Sequence, residues 1–260
     1  MKSGAPDLLL GVHAVEAALA DHPDRVERIW FAEEAAPRLQ PLISETRRMG
    51  VRFLMVPRAR LDELAEGGRH QGVVAAYQPL PPRQEREIEP FLAAIPLPLV
   101  LVLDGVQDPH NLGACLRTAE AAGAHAVVVP KANSVSLSPG ARRAAAGAAD
   151  RVPLFQVANL ARVLMQLRKS GLWIVGAAAR APQSAYTVDF TAPVALVLGG
   201  EERGLRRLTQ EQCDLAVHLP LAGACESLNV SVAAGVLLYE AVRQRQAQAA
   251  TGGAHHGPDR

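Results

Sequence analysis

Six compact apolar runs in the second part of the chain restrict its fold more than any other feature: Leu99–Leu103, Ala126–Val129, Val152–Val157, Trp173–Ala178, Val194–Leu198 and Leu215–Leu219. Few of their residues are polar, and Ala-rich amphipathic stretches separate several of them. A strand that is apolar on both faces must be covered on both faces, and strands alternating with helices favour parallel pairing. The expected fold class is therefore α/β, with a mostly parallel sheet between layers of helix. Aromatic residues make up only 4% of the chain, so Ala, Val and Leu must fill the core. Sheets of this kind bind ligands beyond the carboxyl ends of their strands. The residues that follow each run are where chemistry is expected.

At 260 residues the chain exceeds the usual single-domain size and reads as two units. Residues 8–20 place apolar side chains at helical spacing, and β-like runs follow at Arg28–Ala32, Val51–Val56 and Val73–Tyr77. Residues 1–77 are thus expected to form a small α/β domain. Residues 78–98 begin with proline and alternating charge and read as an extended, solvated linker. The larger domain spans 99–246 and ends in a helix from about Asn229 to Arg245; residues 247–260, with His255 and His256, read as a disordered tail.

The net charge is only +1, with ten basic and eleven acidic residues in 1–77 against fourteen and eleven in 99–246. Attraction for nucleic acid would have to come from local clusters. Arg47, Arg48, Arg52, Arg58 and Arg60 are the candidate cluster in the first unit. Three widely separated cysteines, Cys115, Cys213 and Cys225, fit a reducing compartment better than a disulfide framework or a Cys-based zinc site. No run reaches the roughly 18 apolar residues of a membrane span. A cytoplasmic protein without metal or membrane association is expected.

Three segments, each following an apolar run, hold polar residues that surface exposure does not explain. The first is Asp104–Arg117, in which Pro109 and Gly105 make a turn, Asn111 is placed to cap the next helix, and Arg117 lies six residues further along it. The second is Leu198-Gly199-Gly200-Glu201-Glu202-Arg203-Gly204-Leu205, whose glycines let backbone approach a ligand closely. It lacks the spacing of both a dinucleotide fingerprint and a P-loop. The third runs from His218 through Pro220 to Ser227-Leu228-Asn229-Val230-Ser231, where Ser227 or Asn229 suffices as a helix cap but the remaining polar residues are surplus. Taken singly, each segment also reads as an ordinary helix entry.

Jointly and in this order, the segments resemble the motifs of the SpoU (TrmH) class of SPOUT methyltransferases: Asn111-x-Gly113-x-x-x-Arg117, Leu198-Gly199-Gly200-Glu201 with Gly204-Leu205, and Pro220 through Ser231. The match spans about residues 99–245, and Gly11–Leu19 with His70–Ala75 resembles the N-terminal RNA-binding domain of that class. The resemblance implies a deep trefoil knot, which periodicity could not reveal because threaded chains are rare. It also implies S-adenosyl-L-methionine held by backbone around Gly199, Leu219 and Leu228, active-site roles for Asn111, Arg117, Glu201, Ser227 and Asn229, and a homodimer with the site beside the subunit interface. Within the class the segments are most similar to the branch that methylates a guanosine 2′-hydroxyl in the peptidyl-transferase region of 23S ribosomal RNA. The alternatives are transfer RNA, another ribosomal nucleotide, or a non-catalytic RNA-binding or assembly factor. One departure stands out: the residue after Glu201, commonly glycine in the class, is Glu202.

A ribose hydroxyl attacks a sulfonium methyl only when it is positioned in line and shares its proton; no metal is required. Arginine deprotonates only above about pH 12, so Arg117 is expected to hold the target phosphate and stabilise the developing alkoxide rather than act as base. Asn111, Ser227 and Asn229 would orient ribose and cofactor. Glu201 would fix Arg117 or help to collect the proton.

Overall fold

The computed structural model describes residues 6–132, 134–201 and 203–252, and the chain divides into two compact units, Met1–Pro81 and Pro82–Arg260. In the first unit β1 (Asp7–Leu10), α1 (Val12–Asp21), β2 (Val26–Ala32), α2 (Ala36–Arg48), β3 (Phe53–Val56), α3 (Arg58–Ala65) and β4 (Val73–Tyr77) build a four-stranded sheet of order β1-β4-β2-β3. β4 pairs antiparallel with β1 and β2, whereas β2 and β3 are parallel. One face of this sheet packs Ile29, Phe31, Val73 and Ala75 against Val15, Leu19, Leu39 and Ile43 of α1 and α2. Residues 8–10, expected to begin a helix, are strand instead. Their unbroken leucines pair edge-on with β4, and Gly11, at φ 92°, turns the chain into α1.

The second unit carries β5 (Arg83–Gln84), α4 (Ile88–Ala93), β6 (Leu99–Asp104), α5 (Pro109–Ala121), β7 (Ala126–Pro130), α6 (Pro139–Ala145), α7 (Ala148–Arg151) and β8 (Leu154–Val157). α8 (Leu160–Lys169), β9 (Trp173–Ala177), β10 (Gln183–Ser184), β11 (Val194–Gly199), α9 (Arg207–Gln210), β12 (Leu215–His218) and α10 (Val230–Gly252) complete it. Its eight strands, ordered β10-β12-β9-β11-β6-β7-β8-β5, are parallel at every pairing. The alternation of the pleat divides the runs as a doubly covered sheet requires. Leu99, Leu101 and Leu103 join the core under α5, α6 and α10, and Val100 and Val102 join the one under α4 and α8.

Two segments differ from expectation. Residues 83–93, read as solvated linker, belong to this unit: Arg83 and Gln84 pair with β8, and Ile88 and Leu92 are 1% and 4% exposed in its core. Alternating charge masks these two apolar anchors in the sequence. Residues 247–252, expected in the tail, continue α10; residues 253–260, with both tail histidines, lie outside the described residues. α5 and α6 cross closely because Gly113 has no side chain, and a Cβ there would sit 2.4 Å from the Ala141 carbonyl oxygen.

Candidate active site

From β6 the chain adds β7 and β8 on one side, then crosses to β9, and β11 inserts between β9 and β6. Such a reversal leaves a crevice at the strand ends. A cleft of about 560 Å³ opens there, beyond the carboxyl ends of β9, β11 and β12. Among its walls are Gly199, Glu201, Leu219, Ser227 and Leu228, all expected at the site, Arg203, Leu205 and His218, which lie in the three segments without an assigned role, and Ala179 and Arg180, which the sequence did not single out.

The loop after β11 is fastened to the end of β6. The Gly200 amide donates to the Asp104 carbonyl at 3.0 Å, and the Gly204 amide donates back to the Gly200 carbonyl at 3.0 Å. A Cβ at Gly199 would lie 1.9 Å from the carbonyl carbon of Gly204, and one at Gly200 would lie 2.5 Å from the Gly105 oxygen. Only glycines permit that closure. The Asp104 carboxylate, with no exposed surface, accepts from the Arg206 amide at 2.9 Å and from its guanidinium through Nε and Nη2. The signal for this pair was a single charged residue closing an apolar strand, at the end where ligands bind. Glu202 lies outside the described residues.

Across the rim, residues from all three segments meet. Asn229 caps α10: its Oδ1 accepts from the Ser231 amide at 2.9 Å and from the Ser231 hydroxyl at 2.6 Å. Its Nδ2 donates to Asn111 Oδ1 at 3.0 Å, and Asn111 Nδ2 donates to Glu201 Oε1 at 2.5 Å. A string of amides therefore ends on a carboxylate, each donor pointing towards the negative charge. Asn111 is not the helix cap; Asp108 is, its side chain accepting from the His110 amide with Pro109 opening α5. That frees the Asn111 side chain for the bridge. Beneath it, burial, with the Glu201 charge adding to it, pushes the Cys115 thiol up to about 12.

Arg117 is not brought to this group. It is exposed on α5 and makes no hydrogen bond or ion pair among the described residues, and the carboxylate that was to fix it is held by Asn111. Ser227 and Leu228 face the cleft from an exposed stretch, residues 221–229, and Leu228 is 38% exposed. No group of three or more potential metal ligands occurs among the described residues, and no described helix is long and apolar enough to cross a membrane.

Both units of the chain resemble known proteins. The SpoU rRNA Methylase family matches residues 98–239, and a family described as RNA 2′-O ribose methyltransferase substrate binding matches residues 8–83. The chain is 51% identical over 240 residues to the 23S rRNA (guanosine-2′-O-)-methyltransferase RlmB of Pseudomonas putida, covering 92% of this chain and 96% of that one. It is 47% identical to the RlmB of Shewanella oneidensis, over 92% of this chain and 98% of the relative. Among solved structures, the SpoU methyltransferase AviRb from Streptomyces viridochromogenes in complex with AdoMet superposes with a TM-score of 0.74 at 26% identity, covering 92% of this chain and 90% of that one.

Proposed function

The chain belongs to the SpoU rRNA methylase family, and we propose that it transfers a methyl group from S-adenosyl-L-methionine to the 2′-hydroxyl of a guanosine in 23S ribosomal RNA. The observation that carries this reading is Glu201: one carboxylate both lines the cleft and ends the Asn229–Asn111 bridge, so a ligand in the cleft borders the polar group at its rim.

The cleft suits the cofactor. Its volume is that of a small-molecule site, and Leu198, Leu219 and Leu228 would give the cofactor apolar cover while backbone around Gly199 would hold its polar edges. When bound, the sulfonium supplies an electrophilic methyl and a neutral leaving group. The chain's own residues do the rest. Asn111 and Asn229 hold the ribose in line, Ser227 fixes it from the cleft wall, and Glu201, tied to Asn111, draws the hydroxyl proton through hydrogen bonding. Arg117, without a carboxylate partner among the described residues, binds the target phosphate and offsets charge developing on the oxygen.

We take the working form to be a cytoplasmic homodimer in which Arg117 completes the partner's site. Val232 and Tyr239, one heptad apart on α10 and each 51% exposed, mark the face that a second copy would cover. The trefoil knot implied by the resemblance belongs to the same reading. Tritiated methyl transfer to 23S, 16S and transfer RNA, followed by ribose mapping, tests the reaction; label on a base, or only on another RNA, overturns it. Sedimentation of a fully active monomer would overturn the dimer.

A further inference from the structure

The first unit contains a cavity of about 600 Å³ between the start of α1, α2, α3 and the loop before β4. Three guanidiniums line it, those of Arg38, Arg58 and Arg69, all on exposed residues and none paired with a carboxylate among the described residues. One carboxylate, Asp62, also lines the cavity, and among the described residues the acidic groups nearby contact atoms other than these guanidiniums. Asp62 Oδ1 accepts from His70 Nε2 at 2.8 Å, Glu16 lies 3.5 Å from His13, and Glu34 Oε1 accepts from the Arg58 backbone amide at 3.5 Å.

The wall behind these cations is rigid. His70, 3% exposed, uses both ring nitrogens, since Nδ1 also accepts from the Gly72 amide at 3.2 Å. Gln71 adopts a left-handed conformation at φ 53°, which is rare outside glycine and is held by its surroundings. Its carbonyl accepts from Arg38 at 2.6 Å, and its side-chain oxygen accepts from the Val12 amide at 3.3 Å. The Gln71 turn thus aims Arg38 at the cavity.

We propose that this cavity seats phosphate groups of the RNA substrate, with Arg38, Arg58 and Arg69 as the contacts. The proposal rests on the reading that the chain acts on RNA, and it replaces most of the basic cluster expected from the sequence. Arg48 and Arg60 are bound to Glu45 and Glu63, and Arg47 lies 5.8 Å above the Phe53 ring; of that cluster only Arg58 lines this cavity. An overall acidic balance in residues 1–77 is compatible with phosphate binding because the neutralised pairs lie elsewhere.

The test measures binding of full-length protein to in-vitro-transcribed 23S ribosomal RNA over a salt series. Three variants enter: Arg58→Gln with Arg69→Gln, which spares the Arg38 hydrogen bond; the same with Arg38→Gln; and Arg48→Gln with Arg60→Gln as control. Loss of three phosphate contacts should weaken binding at least ~10-fold and flatten the slope of log K against log salt by about 2–3. The double variant should show about two-thirds of that slope change, and the control should match wild type. S-adenosyl-L-methionine binding, measured by calorimetry, should be unchanged in all. Wild-type affinity and slope in both cavity variants, or an equal loss in the control, overturns the site. Wild-type protein that takes up the cofactor but not the transcript overturns the RNA reading itself.

Discussion

Asn229 Nδ2 donates to Asn111 Oδ1 at 3.0 Å, joining two residues 118 positions apart in the chain. The contact has a direction, because Asn229 Oδ1 is occupied by the start of its own helix and Asn111 passes its donor on to Glu201. Serine at 229 separates the two duties. Its hydroxyl still caps α10, but it has no amide to give to Asn111. Asn229→Ser should therefore keep the wild-type melting temperature and lose methyl transfer by about ten- to a hundredfold in kcat/KM, roughly 1.4–2.7 kcal/mol. Asn229→Ala should lose the activity and in addition ~1 kcal/mol of stability. A serine variant with wild-type turnover would show that the bridge has no part in catalysis.

The three cysteines should separate by reactivity. Burial pushes the Cys115 thiol up to about 12 and, with help from Asp214 and Asp104, the Cys213 thiol up to about 11, whereas Cys225 is exposed. The thiolate is the reactive form, and at pH 8 a thiol of pKa 12 is ionised only ~1 part in 10⁴. Native protein should show one fast thiol towards a disulfide reagent at pH 8, and Cys225→Ser should remove that phase. Two or more fast thiols would contradict the burial.

The parallel sheet was legible because a strand buried on both faces has to be written in apolar residues, and Leu99–Leu103 and Val194–Leu198 fall inside strands that extend by one residue each. Less legible was any feature decided by distant partners. Residues 8–10 carry a helical pattern, but β4 captures them as its edge. Asp108 and Asn111 are both good caps by composition; Pro109 at the first helical position makes Asp108 the cap, and the use of the Asn111 side chain is set by Asn229 and Glu201, 118 and 90 positions away. Arg206 gives no sign in the sequence that it seals a buried carboxylate 102 positions earlier.

The acid limb of stability should depend on Glu240. Hydrogen bonds from Arg243 hold its carboxyl below the usual range, against the opposing effect of burial and with Gln244 assisting. A carboxyl depressed in the folded state contributes stability that is fully present above its unfolded pKa, about 4.3, and is lost as the pH falls through the folded value. Gln244 also donates to the Val188 carbonyl and accepts from the Phe190 amide, so the loss would loosen α10 from residues 188–190. In a melting series from pH 7 to pH 3, Glu240→Gln should start lower and fall less steeply. A curve parallel to wild type would assign the acid sensitivity elsewhere.

The Asp104–Arg206 pair should fail asymmetrically. Asp104 is sealed, with no exposed side-chain surface, whereas Arg206 is 39% exposed and can turn to water if its partner goes. Arg206→Ala leaves a buried carboxylate without its counter-charge and should cost about 3 kcal/mol, the lower end for breaking a buried pair because one partner is partly solvated. Asp104→Asn leaves a neutral amide that can still accept from the Arg206 backbone, and should cost less than half as much in urea unfolding. Both should weaken S-adenosyl-L-methionine binding, because the Gly199–Leu205 loop that walls the cleft is anchored through this pair and the Gly200 amide. Calorimetry should show a Kd raised at least ~10-fold for Arg206→Ala, about 1.4 kcal/mol. Equal destabilisation by the two substitutions, or cofactor affinity untouched by either, would mean that the loop holds its shape without the ion pair.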